Sequence, residues 1–328
     1  MSLRKKIIAL LIGVLATPLL HATQPHVVAS FGIPADWVRQ IAGDKVELTV
    51  LADKGQDIHA FEPAPRDLAK LSQADLVVQI GPNLEFWLDD LLASSRFQGQ
   101  RLSLSNGLTL RKADDYHGDK QSDHSDSHDG HSHDGHDHDS HAGHDHGDYD
   151  PHVWMDPENV SRMSAALTEA LCQIDPDNAS TYRDNAKRWN DKLLALDQQA
   201  RERFAAIPEQ ARVIITYHDN LGYFADRYGI EIPATILGSV STEGGEPSAR
   251  QMAALIKLIR QDQVAAIFTD PGANDRLARQ LCRETGLPAP RLLYVGTFSR
   301  DTSGPQDYES LFLYTVDTIA DSIQAKNN

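Results

Sequence analysis

Short apolar runs rich in β-branched residues recur along the chain at His26–Phe31, Val46–Leu51, Leu76–Ile80, Val213–Tyr217, Val264–Thr269 and Leu292–Val295. Between them lie helical patterns, at Pro34–Ile41, Pro65–Gln73, Leu84–Leu92, Gln251–Gln261 and Asn274–Thr285. Strands that alternate with helices of about ten residues predict parallel α/β layers. One pattern is longer than the rest. From Asn178 to Ala206 the apolar positions Tyr182, Ala186, Trp189, Leu193, Leu196, Ala200 and Phe204 alternate steps of four and three, a single helical stripe. The expected architecture is α/β: two parallel-sheet lobes, residues 23–177 and 207–328, joined by a spine helix over 178–206. Such lobes leave a cleft between them, and ligands bind in clefts at the C-terminal ends of parallel strands.

Two stretches stand outside this pattern. Arg4, Lys5 and Lys6 precede an apolar run, Ile7–Leu20, that ends near Leu20-His21-Ala22. This is the layout of a cleaved signal peptide over residues 1–22, and the run is too short for a membrane span. No Cys marks the cleavage point, so a free periplasmic form is expected rather than a lipid-anchored one. The second stretch, 113–150, is rich in Asp and His with almost no apolar side chains, and predicts a disordered loop. It carries twelve Asp against one Lys and so supplies much of the formal charge of −16. That balance makes nucleic acid an unlikely partner. Cys172 and Cys282 are the two cysteines, and either a disulfide or two buried thiols fits an exported chain.

Ten of the fifteen histidines fall in the loop, at His117, His124, His128, His131, His133, His136, His138, His141, His144 and His146. Flexible imidazoles, largely neutral near pH 7, bind zinc, nickel, copper or cobalt weakly and in shifting geometries. A purely solvating acidic linker would explain the Asp but not the His. Outside the loop and the leader four remain, and His26 has no partner in view. His218 follows the run 213–217 at a strand end, His59 lies in the loop after 46–51, and His152 sits just before Asp156-Pro157, an N-cap followed by a first helical residue. Each alone has a bland alternative as a hydrogen-bonded structural histidine. Together they are candidate Zn²⁺ ligands, because zinc takes imidazole nitrogen and needs three or four converging donors.

The stretches around these residues resemble a known family, the zinc/manganese solute-binding proteins of ABC importers, and within it the zinc-uptake branch. The resemblance runs through His59-Ala60-Phe61-Glu62-Pro63-Ala64-Pro65-Arg66-Asp67, Gly81-Pro82-Asn83-Leu84-Glu85-Phe86-Trp87-Leu88, Asp150-Pro151-His152-Val153-Trp154-Met155-Asp156-Pro157, His218-Asp219-Asn220-Leu221-Gly222-Tyr223-Phe224 and Glu246-Pro247-Ser248-Ala249-Arg250. It implies two α/β lobes with the metal held between them by His59, His152 and His218. Manganese-type members use a carboxylate where this chain has His218, which favours Zn²⁺ over Mn²⁺. Where many relatives carry a fourth, Asp ligand this chain has Gly296, so water is expected there, with Asp301 as the second choice. Asp270 is not read as a ligand. The partners implied are an inner-membrane permease and a periplasmic metallochaperone, with the chain itself a monomer. Three rivals share the site: a manganese or iron solute-binding protein of the same fold, a zinc-dependent hydrolase, and a periplasmic metal buffer that never docks on a transporter. No HExxH, GxSxG, P-loop or GxGxxG pattern supports an enzyme, and none is expected.

Overall fold

The computed structural model describes residues 24–81, 83–113, 149–242 and 245–327. The expected leader, 1–22, and the ten loop histidines from His117 to His146 lie outside the described residues. The first half holds β1 (His26–Phe31), α1 (Gly32–Ala42), β2 (Glu47–Ala52), α2 (Pro65–Ser72), β3 (Leu76–Gln79), α3 (Trp87–Ser95), β4 (Gln100–Ser103) and α4 (Pro157–Ile174). The long α5 (Ala179–Ala205) follows, then β5 (Ile214–Ile215), α6 (Gly222–Tyr228), α7 (Ala249–Gln261), β6 (Ala266–Thr269), α8 (Arg276–Thr285), β7 (Arg291–Leu292) and α9 (Tyr308–Asn327).

Two parallel sheets result. One has the order β2-β1-β3-β4 and the other β5-β6-β7. β1 and β3 are central and buried on both faces, which is why they read as unbroken apolar runs. The edge strand β4, Gln-Arg-Leu-Ser, is half exposed and carries no such run, so the sequence pattern did not announce it. The expected helix at Leu84–Leu92 begins later, at Trp87. The reason is Glu85, which turns inward and accepts from Ser30 Oγ (2.7 Å), Ile80 N (2.9 Å) and Gly81 N (3.1 Å), so that residues 83–86 precede the helix as a loop.

α5 matches its predicted span to one residue at each end, and Tyr182, Trp189, Leu193, Leu196, Ala200 and Phe204 are buried along one face. It packs on α1 and α4 of the first lobe and on α6 and α9 of the second. Its stripe therefore runs through a core shared by both halves, in which Phe204 meets Phe224 and Tyr228, and Trp189 meets Tyr308. Cys172 and Cys282 are separate buried thiols, so the open choice between disulfide and free thiols resolves to the latter. Burial pushes the Cys282 thiol up to about 11.

Candidate metal centre

Three loops deliver the three histidines to one point. His218 leaves the C-terminal end of β5, and Thr216 Oγ1 donates to its carbonyl (2.8 Å). His59 lies in the loop after β2, where Asp57 Oδ1 accepts its N–H (3.0 Å). That loop is tied to the second lobe: Gly55 N donates to Thr297 Oγ1 (2.7 Å), Arg300 Nε to Lys54 O (2.9 Å) and Thr242 Oγ1 to Asp57 Oδ2 (2.6 Å). His152 precedes a buried single turn, Val153–Met155, anchored by Trp154. The Trp154 indole donates to Val295 O (2.9 Å) and its carbonyl accepts from Tyr308 Oη (2.7 Å). Asp156 then caps α4 by accepting from Glu158 N (2.8 Å), with Pro157 as the first helical residue, the mount expected from the sequence.

The imidazoles of His59, His152 and His218 each offer a nitrogen, and these atoms all lie within 4.8 Å of one another. Ring centroids stand 5.2 to 5.5 Å apart, and His59 Nε2 lies 3.1 Å from His152 Nε2. A tetrahedral zinc with nitrogens about 2.0–2.1 Å away needs them about 3.4 Å apart. The arrangement therefore fits such an ion with shifts smaller than a rotamer change.

Two carboxylates set the direction of the rings. Asp150 Oδ1 accepts from His152 Nδ1 (2.8 Å), and Asp270 Oδ2 from His218 Nδ1 (2.6 Å). A carboxylate on Nδ1 fixes the proton there and leaves the lone pair on Nε2, the tautomer a metal requires. His218 Nε2 is buried and meets no hydrogen-bond donor among the described residues, a basic lone pair aimed into the site. The two rings differ in basicity. Burial, then the neighbouring His218, hold His152 well below the ordinary histidine range. Burial acts the same way on His218, but the charge and hydrogen bond of Asp270, with Asp57 and Asp219 behind it, outweigh burial and raise it.

Gly296 lines the cavity, as do Gln56, Asp57, Thr242 and Thr297. A Cβ on Gly296 would find Ile58 Cγ2 at 4.0 Å as its nearest neighbour, so there is room for a side chain and none is supplied. Asp301, the second choice for a fourth ligand, is not brought to the cluster. It is exposed, and its carboxylate accepts from Ser303 N (3.1 Å) to close a turn, which points it away from this use. Asp270 lies outside the converging group and instead accepts from His218 Nδ1. Its supporting role and that of Asp150 escaped the sequence reading. One signal was present, an acid two residues before His152; that Asp270, after the predicted strand Val264–Thr269, faces His218 follows only from the pairing of β5 with β6.

Two α/β lobes with a cluster of imidazoles in the cleft define a substrate-binding protein whose cargo is a metal ion. Comparison with known proteins sharpens this. Residues 27–322 match the family described as "ZnuA: Zinc-uptake complex component A periplasmic", and the chain belongs to that family of metal-binding substrate-binding proteins of ABC importers. It is 30% identical over 298 residues to the iron-binding protein YfeA of Yersinia pestis, covering 90% of this chain and 85% of that protein. It is 28% identical over 303 residues to the manganese ABC transporter substrate-binding lipoprotein PsaA of Streptococcus pneumoniae, covering 90% and 88%. The periplasmic zinc binding protein TroA of Treponema pallidum has the same fold, with a TM-score of 0.75 at 24% identity over 92% of this chain and 99% of that one.

Proposed function

We propose that this protein captures Zn²⁺ in the periplasm with His59, His152 and His218, completes the coordination with water, and delivers the ion to the permease of an ABC importer in the inner membrane. The observation that carries the reading is the convergence of imidazole nitrogens, two of the rings backed by carboxylates, with no carboxylate among the converging atoms of the described residues. An all-nitrogen set suits zinc, whereas manganese and iron(II) gain more from carboxylate oxygen. The family's description as a zinc-uptake component agrees. The names of the relatives cited above, manganese for one and iron for another, favour the second reading, a manganese or iron carrier. PsaA is named as the substrate-binding lipoprotein of an ABC transporter, and the hydrolase reading has only the three imidazoles in its favour.

In this reading the ten loop histidines are auxiliary weak ligands that gather ions for the tight site. Zn²⁺ stoichiometry by native mass spectrometry tests both parts, on wild type, a deletion of residues 117–146 and each of His59→Ala, His152→Ala and His218→Ala. The deletion is expected to leave one tight site and remove the weak ones, while the single substitutions at His152 and His218 remove the tight one. Retention of the tight site in His152→Ala overturns the ligand assignment. Displacement of Zn²⁺ by Mn²⁺ at comparable concentration overturns the zinc assignment and leaves the second reading.

A further inference from the structure

Beneath the histidines lies a buried charge cluster that the proposed function leaves unused. Asp150 and Asp219 are fully buried, and the Arg111 guanidinium lies between them, Nη1 standing 3.8 Å from Asp150 Oδ2 and 3.6 Å from Asp219 Oδ2. Arg111 Nε donates to Asp226 Oδ2 at 3.2 Å. The Asp150 carboxylate is thus divided: Oδ2 faces Arg111, and Oδ1 accepts from both the backbone N–H (2.9 Å) and Nδ1 (2.8 Å) of His152. Asp219 directly follows His218 in the chain.

The surrounding backbone holds this arrangement from several sides. Asp150 N donates to Arg111 O (2.9 Å), Arg111 N donates to Tyr223 Oη (2.8 Å), and that hydroxyl donates to Asp150 O (3.0 Å). Gly222 makes space for the charges. A Cβ there would stand 2.5 Å from Arg111 Nη1 and 2.7 Å from Asp150 Oδ2. Two carboxylates buried side by side repel, and removing the cation between them leaves charge that the interior does not tolerate. The guanidinium thus sets positive charge beside Asp150 Oδ2 while Oδ1 faces the imidazole.

We propose that Arg111 is a positioning residue for metal capture: it holds the Asp150 carboxylate so that Asp150 fixes the ring of His152. This inference rests on the three-histidine site proposed above. Outer partners of metal-bound imidazoles typically account for 10–100-fold in affinity, and Arg111 stands one step further out than Asp150.

The test is Zn²⁺ affinity by chelator competition on the full chain, with thermal melts of each metal-free variant alongside. Arg111→Met is expected to weaken Zn²⁺ by about tenfold with the stoichiometry of the tight site unchanged, and Arg111→Lys to recover part of that loss. Arg111→Met combined with Asp150→Asn is expected to bind no more weakly than Asp150→Asn alone, because both break one chain of contacts. Combined with Asp270→Asn, which serves the other histidine, the losses add. A general loosening of the fold would lower both pairs alike. If Arg111→Met fails to fold, Arg111→Met with Asp219→Asn restores the balance of buried charge and should show the same weakening. Wild-type affinity in either variant, or full additivity with Asp150→Asn, overturns the proposal. Absence of tight Zn²⁺ binding by the wild type would sink the functional reading itself. Tight binding that His152→Ala abolishes would keep that reading, whatever Arg111→Met shows.

Discussion

Removing the carboxylate of Asp270 tests how much of the site depends on groups that never touch the ion. Asp270 accepts from His218 Nδ1 at 2.6 Å and from Asn220 Nδ2 at 3.0 Å. Asp270→Ala deletes both, leaves the buried Nδ1–H with only the Asn220 amide, 3.4 Å away, to turn to, and frees the ring to turn or to change tautomer. The expected loss is at the top of the range for such partners, about 100-fold in Zn²⁺ affinity or about 2.8 kcal/mol. Asp270→Asn should cost less. Its amide oxygen can still accept from Nδ1, and its amide nitrogen would face Asn220. Asn220 Oδ1 is buried with no hydrogen-bond donor among the described residues, so the Asn220 amide can turn over to accept without breaking a bond. What is lost is the charge, and a hydrogen bond to an ionised group is roughly twice as strong as a neutral one. About tenfold, or 1.4 kcal/mol, is expected. The assay is chelator competition at pH 7.5 in the background lacking residues 117–146, so that weak sites do not report. Affinity of Asp270→Ala within twofold of wild type would refute the view that this carboxylate fixes the metal-binding tautomer. Equal losses in the two variants would refute the separation of charge from hydrogen bond.

Other expectations follow from single contacts. Asp36 is buried in α1 and accepts from Tyr308 N at the start of α9 (3.2 Å); burial raises its pKa from 3.8 to about 6. An acid whose folded pKa is the higher one holds its proton more tightly when folded, so stability is lost as pH rises through the interval from 3.8 to about 6. Asp36→Asn should therefore gain up to about 3 kcal/mol at pH 8 and little at pH 4 in denaturant titrations, and an equal gain at both would refute the cause. Gly296→Asp places a carboxylate where there is room for it, and the backbone there needs no left-handed conformation. It should raise Mn²⁺ affinity relative to Zn²⁺ by about tenfold, since the added donor is a hard oxygen. An unchanged ratio in metal competition would show that position 296 does not reach the ion.

The parts of this protein that were legible in advance are those where burial imposes a period. The spine stripe from Tyr182 to Phe204 and the unbroken runs of β1 and β3 each face core on predictable sides. The edge strand β4 has no such requirement, and α9 was passed over. Three histidines scattered over 160 positions, from His59 to His218, form no local motif, and it was their placement at a strand end, in the loop after a strand and beside an N-cap that singled them out. Their supports were harder to see. Asp270 meets His218 only because β5 and β6 are neighbours, and Arg111 meets Asp219 only because two lobes fold against each other. Such pairings are properties of the tertiary structure, and one sequence read along its length carries no period that marks them.

The bridge between Lys112 and Tyr149, with Asp150 N donating to Arg111 O at 2.9 Å, brings the two ends of the Asp/His-rich stretch side by side. Seen from the core, the flanking residues are the fixed roots of whatever branch of chain joins them. Lengthening or shortening such a branch changes closure entropy only slowly, about 0.6 kcal/mol for each doubling. The position is thus a natural insertion point, where a fluorescent reporter or an affinity handle can be grafted without disturbing either lobe.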